Sequence, residues 1–159
     1  MKVYFFRHGI AHEREAWSGD DDERPLTEDG IKLMSAEAKT IARLGLDFDL
    51  ILCSPLARAL QTAQIVAKAL GTKKSIEIES MLAPGFNVPD LAAILEQHGA
   101  LRNLLLVGHE PDMSRTIGAI TGGGRIICRK GSLACVKLTD LVEPSGELAW
   151  LLPPNFLAR

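Results

Sequence analysis

The chain has 159 residues with 18 Lys+Arg against 20 Asp+Glu, 47% hydrophobic and 24% charged, which excludes disordered, collagenous and coiled-coil chains. That length suits one domain, read as residues 1–159, with enough chain to bury a core. A net charge of −2 gives no global attraction to nucleic acid or to anionic lipid, so neither is expected as a partner.

Val3 to Phe6 is a short apolar and aromatic run that stops at Arg7-His8-Gly9. It reads as a buried first strand and is too short for a signal-peptide core. A polar stretch dominated by Asp20-Asp21-Asp22-Glu23 follows and reads as a solvated loop. Thr27 can then N-cap a helix with Glu28 and Asp29 near its positive end. Ile31, Met34, Ala38 and Ile41 recur at helical spacing, and Gly45 supplies the stop. Leu50 to Cys53 is a second apolar run. Ser54-Pro55 is expected to open the next helix, Ser as cap and Pro at the first helical position. Leu56, Leu60, Ala63, Ala67 and Leu70 would be its buried stripe, and Gly71 its end.

Ser75 to Glu79 alternates like a strand, with Ile76 and Ile78 on one face. Pro89 to His98 predicts a third helix. Leu104 to Val107 is the most apolar run and predicts a central strand buried on both faces. Asp112 to Ile120 predicts a helix broken by Gly122-Gly-Gly124. Ala134 to Leu138 and Glu147 to Leu152 predict two strands joined at Pro144-Ser-Gly146. Leu148–Ala158 is the longest charge-free run, 11 residues with two prolines, whereas a membrane span needs about 20 apolar ones. The fold class expected is α/β, a three-layer sandwich on a mainly parallel sheet with helices on both faces, open to an antiparallel edge. Cys53, Cys128 and Cys135 lack CxxC spacing, so neither a disulfide framework nor a zinc knuckle is indicated and a cytoplasmic location is expected.

Three predicted strands end in reactive polar residues: Arg7-His8-Gly9, Ser54-Pro55 with Arg58 one turn on, and Gly108-His109-Glu110-Pro111. Ligands of open α/β sheets bind outside the carboxyl ends of the strands. Two arginines and two histidines would therefore gather at one edge, and two of the segments also begin helices whose free N–H groups favour anions. Taken singly, each residue has an ordinary structural reading, and only the convergence points to a bound phosphoryl group. His12 and His98 lack that context. Arg125, Arg129 and Lys130 form a small basic patch read as a solubility feature. His8 and His109 with Glu110 or Asp112 could ligate a metal, but no HxH or HExxH spacing occurs and paired arginines repel a cation. No P-loop is present.

The four segments Val3-Tyr-Phe-Phe-Arg7-His8-Gly9, Arg24-Pro25-Leu26-Thr27-x-x-Gly30, Ser54-Pro55-x-x-Arg58-Ala59-x-Gln61-Thr62-Ala63 and Gly108-His109-Glu110-Pro111 resemble the histidine phosphatase superfamily, whose fold is phosphoglycerate mutase-like. The likeness covers nearly the whole chain and is nearest to the short bacterial phosphohistidine phosphatases of the SixA type. The resemblance implies catalytic His8 as nucleophile, forming a phosphohistidine that water hydrolyses. It implies Arg7, Arg58 and His109 as groups that bind the substrate's phosphoryl oxygens, and Gly9 as a tight turn. Two guanidiniums and an imidazolium would stabilise a loose transition state, so no metal and no cofactor is implied.

One departure bears on the substrate. Where mutases and many phosphomonoesterases carry a general-acid glutamate, this chain has Met81-Leu82-Ala83-Pro84-Gly85. An alkoxide leaving group needs a proton, whereas the imidazole of a phosphoramidate can take one from solvent near neutral pH. This favours phosphohistidine on a protein, for example a phosphotransfer domain of a signalling relay. Two alternatives stay open: a phosphatase of small phosphorylated ligands such as nucleotides or sugar phosphates, with Asp20, Asp21, Asp22 or Glu110 as acid, and a non-catalytic phosphate-binding module.

Overall fold

A computed structural model describes residues 1–71 and 76–158. Six strands, β1 (Lys2–Arg7), β2 (Leu50–Cys53), β3 (Ile76–Ile78), β4 (Asn103–Gly108), β5 (Leu133–Asp140) and β6 (Ser145–Leu152), form one sheet in the order β3-β2-β4-β1-β5-β6. β3, β2, β4 and β1 run parallel, while β5 pairs antiparallel with both β1 and β6. The expected antiparallel edge is thus present. Five helices accompany the sheet: α1 (Glu28–Arg43), α2 (Ala57–Ala69), α3 (Val88–His98), α4 (Asp112–Ile120) and a short α5 (Pro154–Leu157) that the sequence pattern does not signal.

Strand alternation divides the core between the two faces. Phe5, Leu52, Leu104 and Leu106 pack with Leu91 and Ile94 of α3 and Met113 and Ile117 of α4. Tyr4, Phe6, Ile51 and Leu105 pack with Met34 and Ile41 of α1 and Ala63 and Val66 of α2. Both faces of the central strands are therefore covered, which is why their sequences are continuously apolar. The result is the three-layer α/β sandwich.

Local details differ from expectation. Thr27 does cap α1, its Oγ1 accepting from the Gly30 N–H at 3.0 Å. Gly45 and Gly71 end α1 and α2 with positive φ. α2, however, begins at Ala57 rather than at Ser54-Pro55, and its N-cap Leu56 offers no side-chain hydrogen bond. Ser54 is drawn away because its hydroxyl serves His109, as described below. In β3, Ile76 packs against the core while Ile78, on the same face at the end of this three-residue edge strand, is 60% exposed; Ser75 lies outside the described residues.

Candidate active site

Register, more than any single residue, assembles the site. Arg7 at the end of β1 pairs with Gly108 at the end of β4, and Cys53 of β2 pairs with Val107 of β4. The next residues along these strands, His8, His109 and Ser54, are therefore neighbours. The His8 N–H donates to the Gly108 carbonyl at 3.1 Å, and the Ser54 N–H to that of Val107 at 3.0 Å.

The two imidazoles lie with ring centroids 5.0 Å apart and are 7% and 5% exposed for His8 and His109. His8 Nδ1 is 2.8 Å from the Gly9 carbonyl. A carbonyl only accepts, so Nδ1 carries the proton and Nε2 the lone pair. Burial first, and then the neighbouring His109, push the His8 pKa down to about 3 against the opposing Gly9 contact. His8 is thus neutral at physiological pH. His109 Nε2 lies 2.8 Å from Ser54 Oγ, which also accepts the Leu56 N–H at 3.3 Å. The Ser54 hydroxyl has one proton to give, and donating it to Nε2 places the ring proton on Nδ1. That Nδ1 is buried and has no hydrogen-bond partner among the described residues.

His109 is pushed down to about 4, first by burial and then by Arg58, with the Asp21 carboxylate opposing. The expected imidazolium is therefore a neutral ring in this structure, offering an N–H rather than a charge. Positive charge comes from Arg7 and Arg58. Arg7 Nη1 donates to the Cys128 carbonyl at 2.9 Å. Arg58, 4% exposed, is gripped by Asp21: Nη1 donates to its main-chain oxygen at 2.8 Å and Nη2 to Oδ2 at 3.1 Å. The Nε atoms of both arginines are buried without a partner among the described residues. Two guanidinium N–H groups and one imidazole N–H beside His8 suit an anion with several oxygens.

One expectation is corrected here. The helix N-termini contribute less than anticipated, because protein groups already take their leading N–H groups. Ala57 N–H donates to the Asp22 carbonyl at 2.8 Å, and Ser114 N–H to Glu110 Oε1 at 3.1 Å. Gly9 lies outside the left-handed region, and a Cβ there would lie 2.9 Å from Met34 Cε.

Of the carboxylates weighed as acids or ligands, those of Asp20, Asp21, Glu110 and Asp112 already accept hydrogen bonds from the protein. Asp21 is held below the usual range, chiefly by its Arg24 hydrogen bond and also by the Arg58 charge. It stays ionised and is a poor proton donor. Asp20 Oδ1 accepts the Asp22 N–H at 3.1 Å, and Asp112 Oδ2 accepts the Gly85 N–H at 2.7 Å. Among the described residues no group of three or more His, Cys, Asp or Glu is placed to hold a metal ion. His12 is exposed and His98 half-buried.

Three contributors are hidden in the sequence. Ser54 reads there as a cap, Asp21 as part of a solvated loop, and Cys128 as a reduced thiol whose carbonyl gives no signal. Only Ser54 carries a clue: it follows directly on a predicted strand end, as His8 and His109 do.

The chain is similar to known proteins. The model of the histidine phosphatase superfamily (branch 1) matches residues 3–83. An uncharacterized protein of Picosynechococcus sp. is 43% identical, covering 96% of this chain and 100% of its own length. The phosphohistidine phosphatase SixA of Escherichia coli K12 is 27% identical over 97% of this chain and 94% of its own. A structure of the protein histidine phosphatase SixA complexed with tungstate superposes with a TM-score of 0.86, at 25% identity and 98% coverage of both chains.

Proposed function

The chain belongs to the histidine phosphatase superfamily, and from that membership we propose that it hydrolyses phosphohistidine on proteins through a phosphohistidine intermediate on His8. The observation that carries this reading is the His8 Nδ1 contact to the Gly9 carbonyl at 2.8 Å. It leaves a neutral Nε2 lone pair beside the buried Arg58 guanidinium and the half-buried Arg7.

In this reading Nε2 attacks phosphorus and forms the N–P bond as the bond from phosphorus to the leaving nitrogen breaks. The leaving imidazole takes its proton from solvent. Arg7, Arg58 and His109 Nδ1–H hold the equatorial oxygens, where a loose transition state carries its charge. Water then attacks the phosphoenzyme and releases inorganic phosphate. The guanidiniums supply the charge that a metal supplies elsewhere, so the reaction is proposed to need none. Residues 1–159 act as one unit, since the sheet that sets the site draws strands from Lys2 to Leu152. The resemblance to SixA in identity and in structure supports the choice of a phosphorylated protein over a small ligand.

The test is a trapping experiment in buffer containing EDTA, using a phosphohistidine peptide labelled with radioactive phosphorus. The native protein should give an acid-labile, alkali-stable phosphoenzyme and continue to turn over. His8→Ala should neither label nor turn over. Labelling of His8→Ala, or activity lost to EDTA and restored by Mg²⁺ or Zn²⁺, would refute the mechanism.

A further inference from the structure

Asp21 grips Arg58 in a way that phosphate binding alone does not require. Its carbonyl and carboxylate take Nη1 and Nη2 at 2.8 and 3.1 Å, while Arg58 Nε remains buried without a partner among the described residues. The other carboxylate oxygen, Oδ1, holds Arg24 Nε at 2.8 Å and Arg14 Nε at 3.3 Å. The segment carrying Asp21 is itself fixed at both ends. Trp17 Nε1 donates to the Asp20 carbonyl at 2.8 Å, and the Asp22 carbonyl receives the first N–H of α2, that of Ala57, at 2.8 Å. Glu23 and Arg24 close turns onto the carbonyls of Asp20 and Asp21 at 3.2 Å each. Arg24 Nη1 also donates to the His12 carbonyl.

We propose that Asp21 is the positioning residue of the phosphoryl pocket, fixing the rotation of the Arg58 guanidinium from a braced turn so that its remaining N–H groups meet the transferring group in one orientation. The proposal rests on the reading of Arg58 as a phosphoryl-binding residue. An arginine side chain has several rotatable bonds, and a guanidinium anchored only at its base would sample many directions. A donor that must be reoriented during reaction loses its value as preorganised charge. Holding two of the three nitrogens leaves the planar group one attitude. Because Asp21 is an anion beside three guanidiniums, it also lowers the pull on free phosphate. The grip therefore favours the transition state while weakening ground-state anion binding.

This gives the residue a signature that a merely structural role lacks. With para-nitrophenyl phosphate as probe, Asp21→Ala should lose about tenfold to 100-fold in kcat. Its inhibition constant for inorganic phosphate should stay equal or fall, and its Tm should stay close to native. Asp21→Asn keeps the shape with one acceptor oxygen for several guanidiniums; it should lose part of the rate and carries the test if the alanine variant does not fold. In an Arg58→Ala background, Asp21→Ala should cost nothing further, since it acts through Arg58.

Both Asp21 variants within twofold of native kcat, with Arg58→Ala inactive, would overturn this proposal alone. So would a loss of kcat matched by a weaker phosphate constant and a lower Tm. Arg58→Ala as active as the native protein would instead overturn the role of Arg58, and the proposal with it.

Discussion

The neutral state of His8 and His109 has a consequence for stability that can be measured without substrate. Their pKa values in the folded protein, about 3 and about 4, lie below the ordinary value of 6.5, burial being the first cause in each. As pH falls below 6.5 the unfolded chain takes up protons at both rings, and the folded chain does not until far lower pH. Stability therefore falls with acidification across that window, each histidine contributing up to about 1.4 kcal/mol for every pH unit. Thermal midpoints taken at pH 7, 6 and 5 should drop steadily, and His8→Gln should flatten the slope. An unchanged slope in His8→Gln would show that His8 titrates normally in the folded state. The four side chains of the site are legible in the sequence because each follows closely on an apolar strand. Their support is not, because it comes from main-chain atoms: the Gly9 and Cys128 carbonyls and the turn that carries Asp21 look the same whatever side chain they bear.

At the scale of the element, α1 shows where a hydrophobic pattern misleads. Counting from Met34 at helical spacing gives positions 34, 37, 38 and 41, and all four are fully buried. Ile31, which the apolar pattern places on the buried stripe, is 41% exposed. Position 37 falls outside that pattern because it is Glu. Glu37 is completely buried, with neither carboxyl oxygen partnered among the described residues, and burial pushes its pKa up to about 8 from 4.5. It packs against Gly131, where a Cβ would lie 2.7 Å from both oxygens and φ is +83°. The Gly131 N–H in turn bonds the carbonyls of Arg7 and His8 at 3.2 and 3.3 Å. A folded acid that keeps its proton while the unfolded chain releases it costs stability as pH rises from 4.5 to about 8. Glu37→Gln should therefore match the native protein near pH 5 and exceed it near pH 8 by a few kcal/mol, because the native protein loses about 1.4 kcal/mol for every pH unit climbed in that interval. Urea unfolding at the two pH values checks this. A native protein as stable as the variant at the higher pH would mean that Glu37 has a partner or reaches water.

For the whole molecule, the alternation of strands and helices makes the layers legible, and the rule that ligands bind at the carboxyl ends of strands locates the site. Strand order is only partly legible: the apolar run of β4 marks it as central, but nothing in it names β1 and β2 as its neighbours. That order decides which acids can reach a leaving group. Four of the carboxylates near these strand ends already accept a hydrogen bond: Asp21 from Arg58 and Arg24, Glu79 from the Met81 N–H, Glu110 from the Ser114 N–H and Asp112 from the Gly85 N–H. Glu79 and Asp112 thereby brace the 79–85 segment on which mutases carry their acid. No side chain among these is poised to protonate an alkoxide. Hydrolysis should then depend steeply on the leaving group. Phosphohistidine and activated aryl phosphates should react faster than sugar phosphates by roughly the 10²–10⁴-fold that a positioned general acid supplies. The measurement is kcat/KM across esters of graded leaving-group pKa, with a phosphohistidine peptide alongside. A flat dependence, with sugar phosphates as good as phosphohistidine, would mean that Asp22 serves as the acid or that one of the four carboxylates changes partners during turnover, and a small phosphorylated ligand would become the better assignment.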